Sequence, residues 1–244
     1  MTPMHRAGLA GLYMTLEAFD RTATSVDELD WELRPTEVCL HWQGESPEAA
    51  FTDLGQKSFQ LDNRGLFNFP GLTENVASPI AQKHLLYRAL LLTFLQHNKY
   101  RSLGEERQMQ YQVDQKVRWV PHFRPVLSFR HQDATEPGSG VGRCITAAGN
   151  WRKKVKIAGW LRPGGGRRHT VFAGTAISEP PSRALCLLYA PIGCAYYLLA
   201  TPTFDDRYQA AVIIPRVTNL EQYSLLRHAG VKTHVDEKVA SGSS

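Results

Sequence analysis

The sequence has a long stretch that lacks negative charge. Between Pro137 and Ser178 there is no Asp or Glu, although the chain of 244 residues contains 23 acidic residues. The same stretch holds eight basic residues, which are Arg143, Arg152, Lys153, Lys154, Lys156, Arg162, Arg167 and Arg168. Because the whole chain has a net charge of only +5, the positive charge is concentrated here and the remainder is net acidic. A concentrated positive patch favours a polyanionic partner.

Cysteines and long hydrophobic runs are also scarce. The four cysteines show no CxxC spacing, which excludes a disulfide framework and favours a reducing cytoplasm. Cys186 and Cys194 lie in an apolar run, so we predict that they are small buried residues. The most apolar stretch, residues 85–95, is interrupted by Arg88 and is too short to span a bilayer. No secretory signal is visible, and we expect a cytoplasmic protein without a membrane partner.

Signatures of catalysis are missing from the sequence. There is no GxxxxGK[ST], no GxSxG and no HExxH, and the nine histidines show no metal-ligand spacing. We therefore predict no catalytic residue, no metal and no cofactor. One enzymatic alternative stays open, namely metal-independent RNA cleavage. His169 or His5 would act as general base in that case, and a neighbouring Arg or Lys would stabilise the charge of the transition state.

Helical and extended patterns are interspersed along the chain, which predicts the α+β class. Helices are expected over residues 5–19, 46–58, 79–97, 180–191 and 218–230, the third with a broad apolar face and the last capped by Thr218 or Asn219 and ending at Gly230. In the first, Ala7, Gly11 and Thr15 form a ridge of small residues that lets another backbone approach closely. Strands are expected over residues 35–43, 111–123, 193–201 and 208–215, and the last two predict a buried hairpin. Residues 59–71 predict two short strands joined by an Asp62–Gly65 turn.

We predict one large domain of mixed helices and antiparallel hairpins with a protruding basic hairpin. Residues 1–135 form its N-terminal part, and residues 136–235 form a β-rich part of the same domain or of one packed closely against it. Residues 236–244 are expected to be a flexible tail. Residues 100–110 are polar and predict a loop, and residues 131–143 predict a flexible loop or domain joint.

The segment "KVKIAGWLRPGGGRRHTVF" predicts the basic hairpin. In an extended strand Val155, Ile157 and Leu161 share one face, and Lys154, Lys156 and Trp160 share the other. Pro163 and the three glycines after it form a thin turn, with no motif or helix to support a phosphate loop. The predicted nucleic-acid-binding residues are Arg143, Arg152, Lys153, Lys154, Lys156, Trp160, Arg162, Arg167, Arg168 and His169.

The proposed roles follow from the chemistry of these side chains. Arg and Lys neutralise phosphates, Arg pairs with guanine edges, and Trp stacks on an unpaired base. Lys116, Arg118 and Arg124 form a weaker second candidate contact. Two other interpretations stay open. The hairpin could be a solvated edge whose charge prevents pairing with the strand edge of another chain, or the protein could be a structural adaptor that binds an acidic protein.

Several stretches together resemble a known family. They are "HRAGLAGLYMTL", "QKSFQLDNRGLFNFPGL", "LLLTFLQHNK", "KIAGWLRPGGGRRHTVF", "EPPSRALCLLYAPIGCAYYLL" and "AVIIPRVTNLEQY". They resemble the N-terminal portion of the large subunit of type I CRISPR effector (Cascade) complexes of the myxobacterial-type subtype. Members of that family are longer, so this chain is expected to be a split, shortened or truncated form that lacks a C-terminal helical part.

The resemblance implies a non-enzymatic role in a crRNA-guided complex. The large subunit helps to recognise the protospacer-adjacent motif in double-stranded target DNA and to form the R-loop, while RNA–DNA pairing reads the sequence. The implied partners are crRNA, double-stranded target DNA and the backbone and crRNA-foot subunits of Cascade. A recruited nuclease or transposition protein is a further implied partner. The resemblance assigns no individual contact residue.

Overall fold

The computed structural model describes residues 1–44, 47–72, 80–114, 117–119, 121–132, 141–156, 178–200 and 208–238. Within these residues six α-helices and seven antiparallel strand pairs confirm the predicted α+β class. The helices are α1 (Pro3–Thr22), α2 (Pro47–Ser58), α3 (Ile80–Leu92), α4 (Pro181–Leu188), α5 (Ala190–Gly193) and α6 (Leu220–Lys238).

Helix α1 begins and ends at residues suited to helix termini. Thr2 accepts a hydrogen bond from the backbone N–H of His5, and the His5 ring accepts one from the backbone N–H of Thr2. Pro3 occupies the first turn, where its missing N–H is not needed. The helix ends at Ala23, which adopts the left-handed conformation with φ 51°. Almost all of α1 between these ends is buried.

The small-residue ridge of α1 allows backbone contact with α4 and α5. A Cβ on Gly8 would lie 1.6 Å from the carbonyl oxygen of Cys186, and one on Gly11 would lie 2.2 Å from that of Tyr189. On the opposite side, a Cβ on Gly193 would lie 1.7 Å from the carbonyl oxygen of Ala7. Only glycine fits at these three positions. The predicted close approach is confirmed, and Gly8, which the predicted ridge omitted, makes the tightest contact.

The strands are short and pair in twos. Five pairs join strands that are consecutive among those described: β1 (Leu29–Leu33) with β2 (Val38–Trp42), β3 (Gln60–Leu61) with β4 (Phe67–Asn68), β7 (Tyr111–Asp114) with β8 (Val117–Trp119), β11 (Val155–Lys156) with β12 (Ser178–Glu179), and β13 (Ala195–Ala200) with β14 (Tyr208–Ile213). The two remaining pairs are β5 (Arg101–Leu103) with β10 (Val126–Phe129) and β6 (Arg107–Gln108) with β9 (His122–Phe123).

Two predictions that concern the strands need correction, one for a loop and one for a hairpin. Residues 100–110, predicted as a loop, contain β5 and β6, because their backbone groups pair with the distant strands β10 and β9. The hairpin β13–β14 forms as predicted but is buried on one face only. Tyr196 and Val212 pack against the core, whereas Tyr197 is 44% exposed and Ile213 is 48% exposed.

Helix α3 is shorter and less buried than the sequence pattern predicts. It ends at Leu92 rather than at His97, and Leu85 is 41% exposed. Its buried residues are His84, Tyr87, Ala89 and Leu90, and Leu86 and Leu91 are partly buried against the core. The helix packs on the core as predicted, but its apolar face is not fully covered, because Leu85 and Leu92 are exposed.

Helix α6 begins as predicted and ends later. The side chain of Asn219 accepts a hydrogen bond from the backbone N–H of Gln222, as expected of a capping residue. The helix continues through Gly230 to Lys238, so the predicted stop at Gly230 was wrong. Glycine weakens a helix interior by about 1 kcal/mol, and that penalty alone does not end a helix. Residues 239–244 lie outside the described part.

The core combines residues from both predicted parts of the chain. Phe67, Phe69 and Phe129 form an aromatic group in which Phe67 and Phe129 meet edge to face, with ring centroids 5.0 Å apart. Val155 and Tyr189, from beyond residue 136, belong to the same buried cluster. The predicted boundary near residue 135 stays a prediction, although one core draws on residues before and after it.

Two further findings concern the apolar residues. Cys186 and Cys194 are buried as predicted, and burial raises the pKa of each thiol to about 12, so both are protonated at neutral pH. Of the helices that the structure describes, none has the length and apolarity needed to cross a bilayer.

The glycine contacts of α1 predict a sharp contrast between two substitutions. Gly11→Ala places a Cβ against backbone and should lower the free energy of unfolding by about 3 kcal/mol or more. Gly149→Ala is the matched control, because Gly149 has φ 78° but no atom near its Cβ position. It should cost only about 1–2 kcal/mol. Urea denaturation of both variants measures the difference, and equal losses would contradict the close-packing argument.

Two buried histidines predict a loss of stability in mild acid. Burial lowers the pKa of His84 to about 4, with Arg88 adding to the effect, and burial lowers the pKa of His131 to about 3. The histidines of the unfolded chain have a pKa near 6.5. Below that pH the unfolded chain therefore binds more protons than the folded chain does. Stability is therefore fully present well above pH 6.5 and is lost as the pH falls, by roughly 4 kcal/mol at about pH 5.

Urea denaturation well above pH 6.5 and at about pH 5 tests this expectation. His131→Leu should show about half of the loss, since one of the two titrating groups is gone. His41→Gln is the control and should show the full loss, because His41 is exposed. A wild-type stability that does not change between the two pH values would refute the argument.

Candidate nucleic-acid interface

The described part of the acid-free stretch begins with a turn packed on α2. Residues Gly142–Cys144 form a short 3-10 helix, and a Cβ on Gly142 would lie 2.8 Å from the Cα of Glu48. This contact brings Arg143 to the Glu48 carboxylate, with which its Nε forms an ion pair. Arg143 was predicted to bind nucleic acid. Its charge is paired with an acid 95 positions away in the sequence, and its role in nucleic-acid binding stays a prediction.

A tight turn follows and holds its shape through its own hydrogen bonds. Ile145 and Trp151 pair across it, and the backbone N–H of Thr146 donates to the carbonyl of Asn150 at 2.8 Å. Gly149 takes φ 78° at the tip, a conformation that glycine adopts without strain. The indole Nε1 of Trp42 donates to the carbonyl of Ala147 at 3.2 Å and ties the turn to β2. The turn therefore provides a fixed base for the residues after it.

Four consecutive exposed residues leave this turn. They are Trp151, Arg152, Lys153 and Lys154, and we refer to them as the WRKK segment. Within the described residues no acidic group forms a salt bridge with any of its three cations. Val155, directly after them, is only 2% exposed and anchors the segment in the core. The WRKK segment therefore presents three positive charges and an aromatic ring on a backbone fixed at both ends.

Strand pairing positions the end of the WRKK segment. Val155 pairs with Glu179 and Lys156 pairs with Ser178, in antiparallel register. The chain therefore leaves β11 and returns in β12 at adjacent positions, as a hairpin requires. Five predicted contact residues lie in between and are outside the described residues, as is the side chain of Lys156: Trp160, Arg162, Arg167, Arg168 and His169. Their role stays a prediction.

The weaker second contact is described only in part. Arg124 is exposed, and its Nε donates to the carbonyl of Gly104 at 2.8 Å, which fixes the guanidinium while other N–H groups stay available. Arg118 lies in β8, of which only the backbone is described, and Lys116 lies outside the described residues. The structure adds Arg101, whose Nε and Nη1 are buried with no hydrogen-bond partner among the described residues. Burial lowers the pKa of Arg101.

His5 has a structural role in the described chain. Its ring caps α1 together with Thr2, it is 4% exposed, and its Nε2 lies 3.7 Å from Glu179. A general base must reach a substrate proton, which a buried capping histidine does not. The alternative general base, His169, lies outside the described residues.

One Ser–His–Glu group superficially resembles a catalytic triad. Ser224 is fully buried, donates to Glu17 at 2.5 Å and lies 3.0 Å from Nε2 of His228. A nucleophilic serine would instead be exposed to substrate and would donate its proton to the histidine. This group ties α1 to α6. No cluster of three or more metal-ligating side chains occurs in the part of the chain that the structure describes.

The sequence analysis singled out neither the exposed ring of Trp151 nor the buried guanidinium of Arg101. Trp151 directly precedes three predicted contact residues, so an aromatic residue flanking a basic run was an available signal. Arg101 had no such signal, because its burial depends on the pairing of β5 with β10.

The fold and the site define an α+β domain with an exposed basic segment, residues 151–154, whose cations form no salt bridge with described residues. The chain belongs to the DevT N-terminal domain family, whose model matches residues 1–188. It is also similar to the CRISPR-associated protein Cas8a1/Csx13 of Myxococcus xanthus (strain DK1622), with 27% identity. That similarity covers all of this chain and 42% of the length of the relative. The resemblance seen in the sequence is confirmed.

The ion pair of Arg143 predicts unequal contributions to nucleic-acid binding. Lys153→Ala should weaken the binding of a short labelled oligonucleotide by about three- to tenfold at low salt, because it removes one phosphate contact. Arg143→Ala combined with Glu48→Gln removes an already neutralised pair and should change affinity by less than about twofold. Fluorescence anisotropy measures both. A loss in the double variant as large as that in Lys153→Ala would show that Arg143 also binds phosphate.

Proposed function

We propose that this chain is the nucleic-acid-binding N-terminal part of the large subunit of a type I CRISPR effector complex. The observation that carries the proposal is the WRKK segment, with three exposed cations free of salt bridges to described residues, in a member of the DevT N-terminal domain family. The similarity to Cas8a1/Csx13 supports the CRISPR context. The proposed site comprises Arg152, Lys153 and Lys154 together with the predicted hairpin residues.

The chemistry of the site matches a phosphate backbone. Each Lys or Arg that neutralises a phosphate releases bound counterions, and this release drives binding without regard to sequence. Exposed cations can form such contacts without first breaking an internal ion pair, which distinguishes Lys153 from Arg143. We propose that this surface holds crRNA or target DNA while RNA–DNA pairing selects the sequence.

The finer parts of the proposal rest on the resemblance. The chain would help to recognise the protospacer-adjacent motif and to open duplex DNA for R-loop formation, without catalysing a reaction itself. Its partners would be crRNA, double-stranded target DNA and the other Cascade subunits, with a nuclease or transposition protein recruited later. The complex would act in the cytoplasm, in antiviral defence or in RNA-guided transposition.

Salt dependence of binding tests the proposal. If about five phosphates are contacted, log affinity should fall against log salt with a slope of roughly −3.5 to −4.5. Replacing Arg152, Lys153 and Lys154 together by Gln should make that slope shallower by about 2 to 3. Anisotropy titrations of single- and double-stranded DNA over a range of salt concentrations give the slopes.

A matched triple variant controls for total charge. Arg64, Lys99 and Arg216 are exposed and lie outside the acid-free stretch, so their replacement by Gln should leave the slope nearly unchanged. Co-purification of the chain with a small RNA and other subunits tests the proposed complex directly. A flat slope for the wild-type chain would favour the adaptor interpretation, in which the basic surface binds an acidic protein.

A further inference from the structure

We propose that Trp151 is a stacking platform for an unpaired base, so that the WRKK segment binds single-stranded rather than duplex nucleic acid. The inference rests on the proposed function and deepens it, because it names the form of nucleic acid at this site. It assigns a role to Trp151, whereas the sequence pattern pointed to Trp160.

The first argument is the exposure of the indole ring. Trp151 is 51% exposed, and within the described residues it has neither a ring contact nor a side-chain hydrogen bond. The other tryptophans whose side chains are described are both held, since Trp31 donates to Asp20 and Trp42 donates to the carbonyl of Ala147. Those two rings also pack on phenylalanines. Trp151 therefore contributes little to packing and is free to contact a ligand.

The second argument is the rigidity of the backbone beneath the ring. Trp151 pairs with Ile145, and the backbone N–H of Arg152 donates to the carbonyl of Cys144 at 2.9 Å. Cys144 is itself buried, and Trp42 holds the turn from the other side. A stacking residue on a fixed backbone loses less conformational entropy when it binds. The indole is therefore presented on an ordered support rather than on a loose loop.

The third argument is the position of the cations. Lys154 lies at most about 10 Å along the chain from Trp151, so all three cations lie within reach of the phosphates that flank a base stacked on the ring. A strand whose base stacks on Trp151 can therefore place neighbouring phosphates against Arg152, Lys153 and Lys154. A duplex offers its phosphates to the same cations but keeps its base faces stacked inside. The ring thus favours a single strand, whereas the charges alone do not discriminate.

Binding experiments with the full chain separate the ring from the charges. The probes are a short oligothymidine, an oligouridine and a DNA duplex closed by loops at both ends, so that no terminal base pair is available. Trp151→Ala should weaken single-strand binding by about tenfold and duplex binding by less than about twofold. Trp151→Phe should retain most of the affinity, because a phenyl ring also stacks. Leu127→Ala is the control, since Leu127 is exposed outside the acid-free stretch.

Tryptophan fluorescence gives a second measure that a merely structural role would not change. Stacking of a base on Trp151 should quench part of the emission of the five tryptophans, and Trp151→Phe should remove that part while the oligonucleotide still binds. Quenching of the same size in both proteins would contradict the proposal. Thermal melting of each variant verifies that the fold is intact.

The outcomes distinguish this inference from the proposed function. Trp151→Ala could weaken single-strand and duplex binding equally, or it could weaken neither of them. If the triple Gln variant still weakens both kinds of binding in that case, the surface binds nucleic acid but Trp151 is not a stacking platform. If the triple Gln variant changes no affinity, the proposed function of the WRKK segment fails as well. A selective loss of single-strand affinity in Trp151→Ala supports both.

Discussion

The direct contact of the α1 backbone with the backbone of residues 186–193 is the constraint on which the rest of the structure depends. Glycines on both sides remove the side chains that would otherwise separate the two segments. Because α1 is buried along nearly its whole length, this contact also fixes the position of the strands and helices that pack around α1. Arg6 extends the constraint, since its three donor nitrogens bond the carbonyls of Thr36, Val217 and Thr218. The start of α6 is thereby fixed to the same helix.

Local signals predicted local structure well. The ridge of α1, the cap of α6 at Asn219 and the Asp62–Gly65 turn of β3–β4 are each decided by a few adjacent residues, and the structure has all three. The errors arose where a distant contact decides the outcome. Strands β5 and β6 exist because β10 and β9 pair with them, and α3 is exposed on one side because no element covers Leu85. Sequence periodicity identifies an apolar face but does not show how much of it a partner covers.

The predictions for the candidate site also divide into those that depend on nearby residues and those that depend on a distant contact. The absence of acidic residues between Pro137 and Ser178 is a property of the sequence, and it pointed to the surface where Arg152, Lys153 and Lys154 are exposed. The ion pair of Arg143 was not predictable, because Glu48 lies outside the acid-free stretch and reaches Arg143 only through the packing of Gly142 on α2. A stretch without acids is therefore not the same as a surface without them. The sequence places Trp151 beside a basic run, but only the structure shows that its ring is exposed while that of Trp42 is packed.

The pairing of β11 with β12 has a consequence for how this family can vary. Since Lys156 and Ser178 are partners, the gap that the intervening residues must close is one strand spacing, however many residues there are. Residues can be added or removed between these two strands without moving either one, at an entropic cost that grows only slowly with length. The core and the length of the intervening segment can thus change independently.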